Sequence, residues 1–338
     1  MVSRLVDVTP VVPADQLVAQ MVPPSMFDDA SFDSYIPDPS EPSQAAAVQV
    51  CRQFAEGIAK RRAPRKGLFS RRHKATHGTG VYLDGGFGVG KTHLLTSIYH
   101  SCPEPKAFGT FVELTHVVGA LGFNRAVEEL SGHSVLCIDE FELDDPGDTM
   151  LVSRLLDELT SAGVSVAVTS NTLPEQLGEG RFAAKDFMRE IRKISGIFES
   201  IRVDGPDYRH RNLPPAPDPV SDSRLEQEAE DVDGATLDDF GQLCKHLATL
   251  HPSKYNRLVD GVTMVCLEDV GPVPDQSIAL RMVVLADRLY DSGIPVRNSG
   301  LKLDAIFTEE MLSGGYRKKY LRATSRLLAL SRFETVGG

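Results

Sequence analysis

One octapeptide constrains this 338-residue chain more than any other feature. Gly85-Gly86-Phe87-Gly88-Val89-Gly90-Lys91-Thr92 fits G-x-x-x-x-G-K-[ST] at every fixed position. It follows a short apolar run within Gly80–Asp84 and precedes a helical pattern over His93–His100. Strand, glycine loop and helix are therefore expected in that order, and few architectures present such a turn. Glycines let successive backbone N–H groups point into one concavity, and the helix N-terminus adds its own, so the loop reads as a phosphate cradle. Lys91 would reach the β- and γ-phosphates of a nucleotide, and the Thr92 hydroxyl would ligate Mg²⁺. The candidate nucleotide contacts are Gly85, Gly86, Phe87, Gly88, Val89, Gly90, Lys91 and Thr92. His93 adjoins them, though as the second residue after the lysine it reads as a helix residue first.

A phosphate loop needs a carboxylate on the metal side, at the end of a buried strand. Val135-Leu136-Cys137-Ile138-Asp139-Glu140 supplies two, with Asp139 lying 48 residues after Lys91. Four apolar residues followed by two acids is a costly pattern unless the acids meet a cation. Asp139 is the candidate metal-side ligand with Thr92, and Glu140 the candidate general base for an attacking water. A third buried run, Val164 to Thr169, ends in Ser170 and Asn171. Asn171 can orient water against a γ-phosphate, or it can cap a turn before Pro174. An amide beside an Asp-Glu doublet suggests the AAA+ branch of phosphate-loop proteins.

Strand and helix patterns alternate from Gly80 onward. Strands are predicted over Gly80–Asp84, Thr110–Leu114, Val135–Ile138, Val164–Thr169 and Phe198–Val203. Helices are predicted over His93–His100, Val117–Leu130, Asp148–Ala162 and Phe187–Ile197. Val135–Ile138 is apolar at every position, as expected of a strand buried on both faces, and Val164–Thr169 reads as another buried strand. The fold class is α/β: a P-loop NTPase core with a parallel sheet covered by helices on both faces, plus a smaller C-terminal α/β lobe.

Charge and composition divide the chain further. Residues 1–50 carry a net of −6, residues 51–100 a net of +8 and residues 101–150 a net of −8, within a total of −11. At 41% apolar and 25% charged residues, wholesale disorder and a fibrous chain are excluded. No run of about 18 uncharged apolar residues predicts a membrane span. The first 20 residues lack a basic n-region and an apolar h-region, so no secretory signal is expected. Five scattered cysteines without a C-x-x-C fit a reducing cytoplasm and argue against a disulfide framework. Prolines 214, 215, 217 and 219 precede a run of acids, which reads as an exposed linker. The expected division is 1–79 as a lead-in containing the basic segment 60–74, 80–213 as the ATPase core, 214–239 as linker and 240–338 as the C-terminal lobe.

Two further patterns stand out. Eight Lys or Arg residues fall within Lys60–Lys74 without an acid. This island is either a solvated loop or a contact surface for an acidic partner, an anionic membrane surface or nucleic acid. With Phe69 its one aromatic, base stacking has little support. The second pattern is an echo: Val265-Cys266-Leu267-Glu268-Asp269 and Gly293 repeat Leu136-to-Glu140 and Gly163 at offsets of 129 and 130 residues. This reads as a degenerate strand-helix-strand unit without a phosphate loop, which either continues the sheet or forms its own lobe. Arg281, Arg322 and Arg326 in this region either approach the nucleotide or pack.

Taken along its length, the chain resembles the ZapE-type AAA+ ATPases of bacteria, relatives of a mitochondrial ATPase family that acts in inner-membrane protein quality control. The resemblance rests on Phe27-Asp28 through Tyr35-Ile36-Pro37-Asp38-Pro39 and Pro42-Ser43-Gln44-Ala45, on Tyr82 to Thr92, on Asp139-Glu140-Phe141, on Thr169-Ser170-Asn171, on Asp207-Tyr208-Arg209, and on Asp287 to Asp291 with Thr324 to Leu327. It implies Mg²⁺-dependent ATP hydrolysis that remodels a protein assembly, with the tubulin-like division protein FtsZ as one client, and a homo-oligomer. The catalytic set it implies is Lys91, Glu140, Asn171 and a neighbour's arginine. The family's helix after the sensor strand often carries an Arg-Phe pair, for which Asp186-Phe187 is read as the nearest match, so Arg181 and Arg189 are the arginine candidates, against the alternative of surface residues. Two other readings stay open: a helicase-loader-like ATPase handling nucleic acid, and a nucleotide-gated scaffold with little turnover.

Overall fold

The computed structural model describes residues 2–11, 13, 16–62, 77–86, 88–143, 146–177, 187–206 and 217–333. The chain divides into two compact units: Pro13–Pro23 with Phe27–Tyr208, and Met1–Val12 with Pro24–Met26 and Arg209–Gly338. The lead-in is thus shared between units rather than forming one segment.

The first unit holds α1 (Pro42–Arg62), β1 (Gly80–Gly85), α2 (Lys91–Ser101), β2 (Ala107–Thr110), α3 (Phe111–Leu121), α4 (Phe123–Ser131), β3 (Val135–Asp139), α5 (Pro146–Ser161), β4 (Ser165–Ser170), α6 (Met188–Ser195) and β5 (Phe198–Val203). All strand pairs are parallel, in the order β2-β3-β4-β1-β5. Alternate residues serve opposite layers. Val81, Leu83, Val135, Cys137 and Ala167 pack beneath α1 and α2, with Ala47, Cys51, Leu94, Leu95 and Ile98. Tyr82, Leu136, Ile138, Val166 and Val168 are buried on the other face, which α3 and α5 cover. Each fully buried Val, Leu or Ile contributes about 1.5–3 kcal/mol, and the double cover explains why the inner strand β3 is apolar from Val135 to Ile138.

Two predicted boundaries shift for local reasons. The strand expected over Thr110–Leu114 ends at Thr110, because Thr110 caps α3. Its hydroxyl accepts from the Glu113 amide, and the Glu113 carboxylate accepts from the Thr110 amide at 2.7 Å. The single helix expected over Val117–Leu130 is two, broken at Gly122, whose φ of +79° leaves the helical region.

The second unit holds α7 (Asp222–Asp231), β6 (Ala235–Asp239), α8 (Phe240–Thr249), α9 (Tyr255–Leu258), β7 (Met264–Val270), α10 (Gln276–Asp291), β8 (Val296–Gly300), α11 (Glu309–Ser313) and α12 (Arg317–Leu330). Its parallel sheet runs β6-β7-β8, separate from the first. The expectation of an exposed linker over 214–239 is corrected here. Ser221 caps α7, and Leu225 and Ala229, one turn apart, are buried on Met264 and Cys266. The acids occupy the outer face, where Arg224 pairs with Glu228 at 2.8 Å. Residues near the N-terminus complete the sheet edge. Ser3 bridges Thr236, and the buried Asp238 carboxylate accepts from the Leu5 and Val6 amides at 2.9 and 3.0 Å.

The echo seen in the sequence has a structural counterpart. Asp239 faces Glu268 across β6 and β7 as Thr110 faces Asp139 across β2 and β3, and both Thr110 and Asp239 cap the next helix. Cys266 pairs Arg297 as Cys137 pairs Ala167. The second carboxylate of each doublet has positive φ, +54° at Glu140 and +49° at Asp269. Each amide is held at 3.0 Å by a hydroxyl of the neighbouring strand, Thr169 or Ser299. Among the described residues the second sheet has no counterpart of β1, the strand that carries the phosphate loop.

Candidate nucleotide site

The register of the first sheet assembles the site. Leu83 lies beside Thr169, Asp84 beside Ser170, and Ile138 beside Val168. The carboxyl ends of β1, β3 and β4 therefore present the glycine loop, the Asp-Glu doublet and the Ser-Asn pair together, at the edge where open α/β sheets bind ligands.

The loop has the conformation its glycines permit. Gly88 and Gly90 have φ of +68° and +86°. A Cβ on Gly85 would lie 2.1 Å from the Val203 carbonyl oxygen, so β1 can end there only in glycine. Gly90 precedes α2 and supplies no side-chain cap to its first turn. Phe87 lies outside the described residues.

Lys91 is buried, and its ammonium donates to the Gly85 carbonyl at 2.9 Å, the Gly86 carbonyl at 2.5 Å and the Asn171 amide oxygen at 3.0 Å. This is where Asn171 belongs: its side chain joins the loop through the lysine. The Thr92 hydroxyl donates to the Asp139 carboxylate, 3.1 Å from Oδ2. Thr169 then ties both acids. Its hydroxyl donates to Asp139 and accepts from the Glu140 amide at 3.0 Å, while its carbonyl accepts from the Phe141 amide at 2.7 Å. Phe141 is fully buried among Phe111, Tyr82 and Phe198, so the strained Glu140 backbone is anchored on both sides.

Sequence reading singled out Asn171 and passed over Thr169. A hydroxyl at the end of a mostly apolar run, two residues before Asn171, was the available signal. The remaining candidates fall elsewhere. His93 is turned away from the loop, its Nε2 2.9 Å from the Ser31 carbonyl oxygen and 3.1 Å from the Ser34 hydroxyl. Arg189 is exposed on α6, and Arg181 and Asp207-Tyr208-Arg209 lie outside the described residues. Of the basic island, 63–76 are outside them too. Arg61 donates to Thr79 and Ser165, and Arg62 to the Gly132 and His133 carbonyls, so both secure the core. Arg281 binds the Leu247 and Leu250 carbonyls and Arg322 pairs with buried Asp287 at 2.7 Å, so they knit the second unit. Cys137 is fully buried, and burial pushes its thiol well above the usual range, which makes it core rather than nucleophile.

The donor set fits a phosphate-bound Mg²⁺. One hydroxyl and one carboxylate are what this ion takes from a protein when phosphate oxygens and waters complete its shell. Among the described residues, no three of His, Cys, Asp and Glu converge on a self-sufficient metal cage.

A profile of AFG1-like ATPases matches residues 11–231 and 220–337. The cell division protein ZapE of Escherichia coli K12 is 32% identical over 152 residues, 41% of this chain and 40% of that protein. Lactation elevated protein 1 homolog B of Danio rerio is 27% identical over 161 residues, 40% of this chain and 32% of that protein. The aligned stretch thus spans two fifths or less of each relative's own length. Domain III of the Thermotoga maritima replication initiation protein DnaA superposes with a TM-score of 0.39 at 19% identity, over 53% of this chain and 69% of that one. That score adds nothing to the topology, which the strand order and register establish directly. Since one family profile spans both units and the phosphate loop is intact, the chain belongs to the AFG1-like ATPase family.

Proposed function

We propose that this chain hydrolyses ATP with Mg²⁺ and uses the cycle to remodel a protein assembly. The observation that carries the reading is the convergence of Lys91, Thr92, Asp139, Glu140 and Asn171 at the carboxyl ends of three adjoining strands. The loop amides bind phosphate oxygens, and Lys91 exchanges an oxygen partner for a phosphate oxygen. Thr92 and Asp139 hold the metal shell. Magnesium, when bound, neutralises charge on the β- and γ-phosphates. Glu140 accepts a proton from the attacking water, and the Asn171 amide orients that water. Arg189, exposed on α6, or Arg181 enters a neighbouring copy's site, which makes hydrolysis depend on a homo-oligomer.

The similarity to a bacterial cell division protein favours a division-ring client, with FtsZ the first to test, and a cytoplasmic setting. The free, buried cysteines fit a reducing compartment, and among the described residues no helix is long and apolar enough to cross a membrane.

Glu140→Gln tests the assignment. It should keep ATP affinity within about threefold and lower steady phosphate release by about 100-fold or more. Lys91→Ala should abolish binding. Near-parental turnover in Glu140→Gln would sink the catalytic reading. The same variant held in ATP captures the client, and stimulation of turnover by single-stranded or duplex nucleic acid would favour a helicase-loader-like role instead.

A further inference from the structure

The segment before α1 follows α2 backward toward the phosphate loop. The Phe27 carbonyl accepts from His100 in the last turn of α2 at 3.1 Å, and the Ser31 carbonyl and Ser34 hydroxyl meet His93 in its first turn. The segment then reaches the loop through one side chain. The Tyr35 hydroxyl donates to the Val89 carbonyl at 2.7 Å, in a buried bond. The Tyr35 ring meets His93 edge-on at 5.6 Å and lies against Gly90, where an added Cβ would come within 2.5 Å of its Cε2. Beyond the loop the segment is pinned again: Gln44 accepts from the Asp38 amide and donates to the Asp204 carbonyl, both at 2.8 Å.

The consequence follows from peptide geometry. A trans peptide is planar, and its C=O and N–H point to opposite sides. Holding the Val89 oxygen toward Tyr35 turns the Gly90 N–H away from Tyr35, to the other side of the loop. Gly90 is free to follow, because glycine accepts its φ of +86° at little cost. We infer that Tyr35 is a positioning residue for the phosphate loop: a strut behind Val89–Gly90 that aims the Gly90 amide at bound phosphate without touching nucleotide. The inference rests on the reading of residues 85–92 as the phosphate cradle. It assigns a specific task to a lead-in residue that sequence reading connected with no chemistry. One aligned amide out of several predicts a modest effect, confined to ligands that fill the cradle.

The experiment is equilibrium binding of fluorescent mant-ATP, mant-ADP and mant-AMP to the full chain and to Tyr35→Phe, Tyr35→Leu and Lys91→Ala. Tyr35→Phe keeps the ring and removes the bond. It should weaken ADP and ATP binding by about 3- to 10-fold and leave AMP within about twofold, since AMP lacks the β-phosphate. Tyr35→Leu should weaken ADP binding further. Parental ADP affinity in Tyr35→Phe, or equal losses for AMP and ADP, would overturn the strut. So would a melting point lowered by more than about 5 °C in Tyr35→Phe, which would make the hydroxyl a general structural tie. Lys91→Ala separates the two claims. If it binds ADP normally, the cradle itself is misassigned; if it loses ADP while Tyr35→Phe does not, only the strut fails.

Discussion

Thr169 offers the sharpest test of how the carboxylates are held. Thr169→Val keeps the side-chain shape and removes one hydroxyl from a position only 2% exposed. That hydroxyl makes a bond to the Asp139 carboxylate and one from the Glu140 amide. A hydrogen bond to a charged group is worth about 1.5–3 kcal/mol and a neutral one about 1 kcal/mol, so the first unit should lose about 2–4 kcal/mol of stability. Glu140 also sits at φ +54°, a conformation costing a non-glycine residue about 1–2 kcal/mol, and one of its tethers is gone. The proposed general base should therefore wander. Misplacement of a reacting group by about 1 Å costs on the order of 100-fold, so kcat should fall by about 10- to 100-fold. Binding of metal-free ADP should stay within about threefold, because Lys91 and the loop are held by other bonds. Thr169→Ser should restore turnover. The assay is single-turnover phosphate release beside equilibrium ADP binding. A valine variant that turns over within about threefold of the parent, or serine and valine variants that behave alike, would refute the tether.

Three other outcomes are expected. Phe141→Ala empties a site enclosed by Phe111, Tyr82 and Phe198 and should cost about 3–5 kcal/mol in urea unfolding; a loss below about 1 kcal/mol would mean the ring is not an anchor. Burial holds the His133 imidazole below its usual pKa of 6.5, so the unfolded chain takes the proton first. The stability His133 contributes is present above that value and lost as pH falls through it toward the depressed one. His133→Gln should flatten the decline of the urea midpoint between about pH 7 and 5, and an unchanged slope would contradict this. Asp238→Ala leaves the Leu5 and Val6 amides without their acceptor, so local opening of residues 2–8 should ease by about 2–4 kcal/mol. Amide exchange at Leu5 and Val6 reads this directly, and parental protection there would show that the strand bridge alone holds the segment.

The phosphate loop, the Asp139-Glu140 doublet and the parallel sheet were legible in the sequence because each is a local pattern with a local cause. Glycines at fixed spacing serve the loop backbone, and unbroken apolar runs serve strands covered on both faces. The degenerate echo around Glu268-Asp269 was legible for the same reason. Tertiary structure alone decided which groups meet. Thr169 grips Asp139 and Glu140 because β3 and β4 are neighbours in register, across 29 or 30 residues of chain. Tyr35 reaches Val89 across 54 residues, and the Asp238 carboxylate claims amides more than 230 residues away. It also decided that the acidic run after Pro219 is a helix, since Leu225 and Ala229 found an apolar face on β7. Spacing along a chain reports the period of an element; which surface that element meets is set by packing, and at those meetings the buried hydroxyls and carboxylates take their partners.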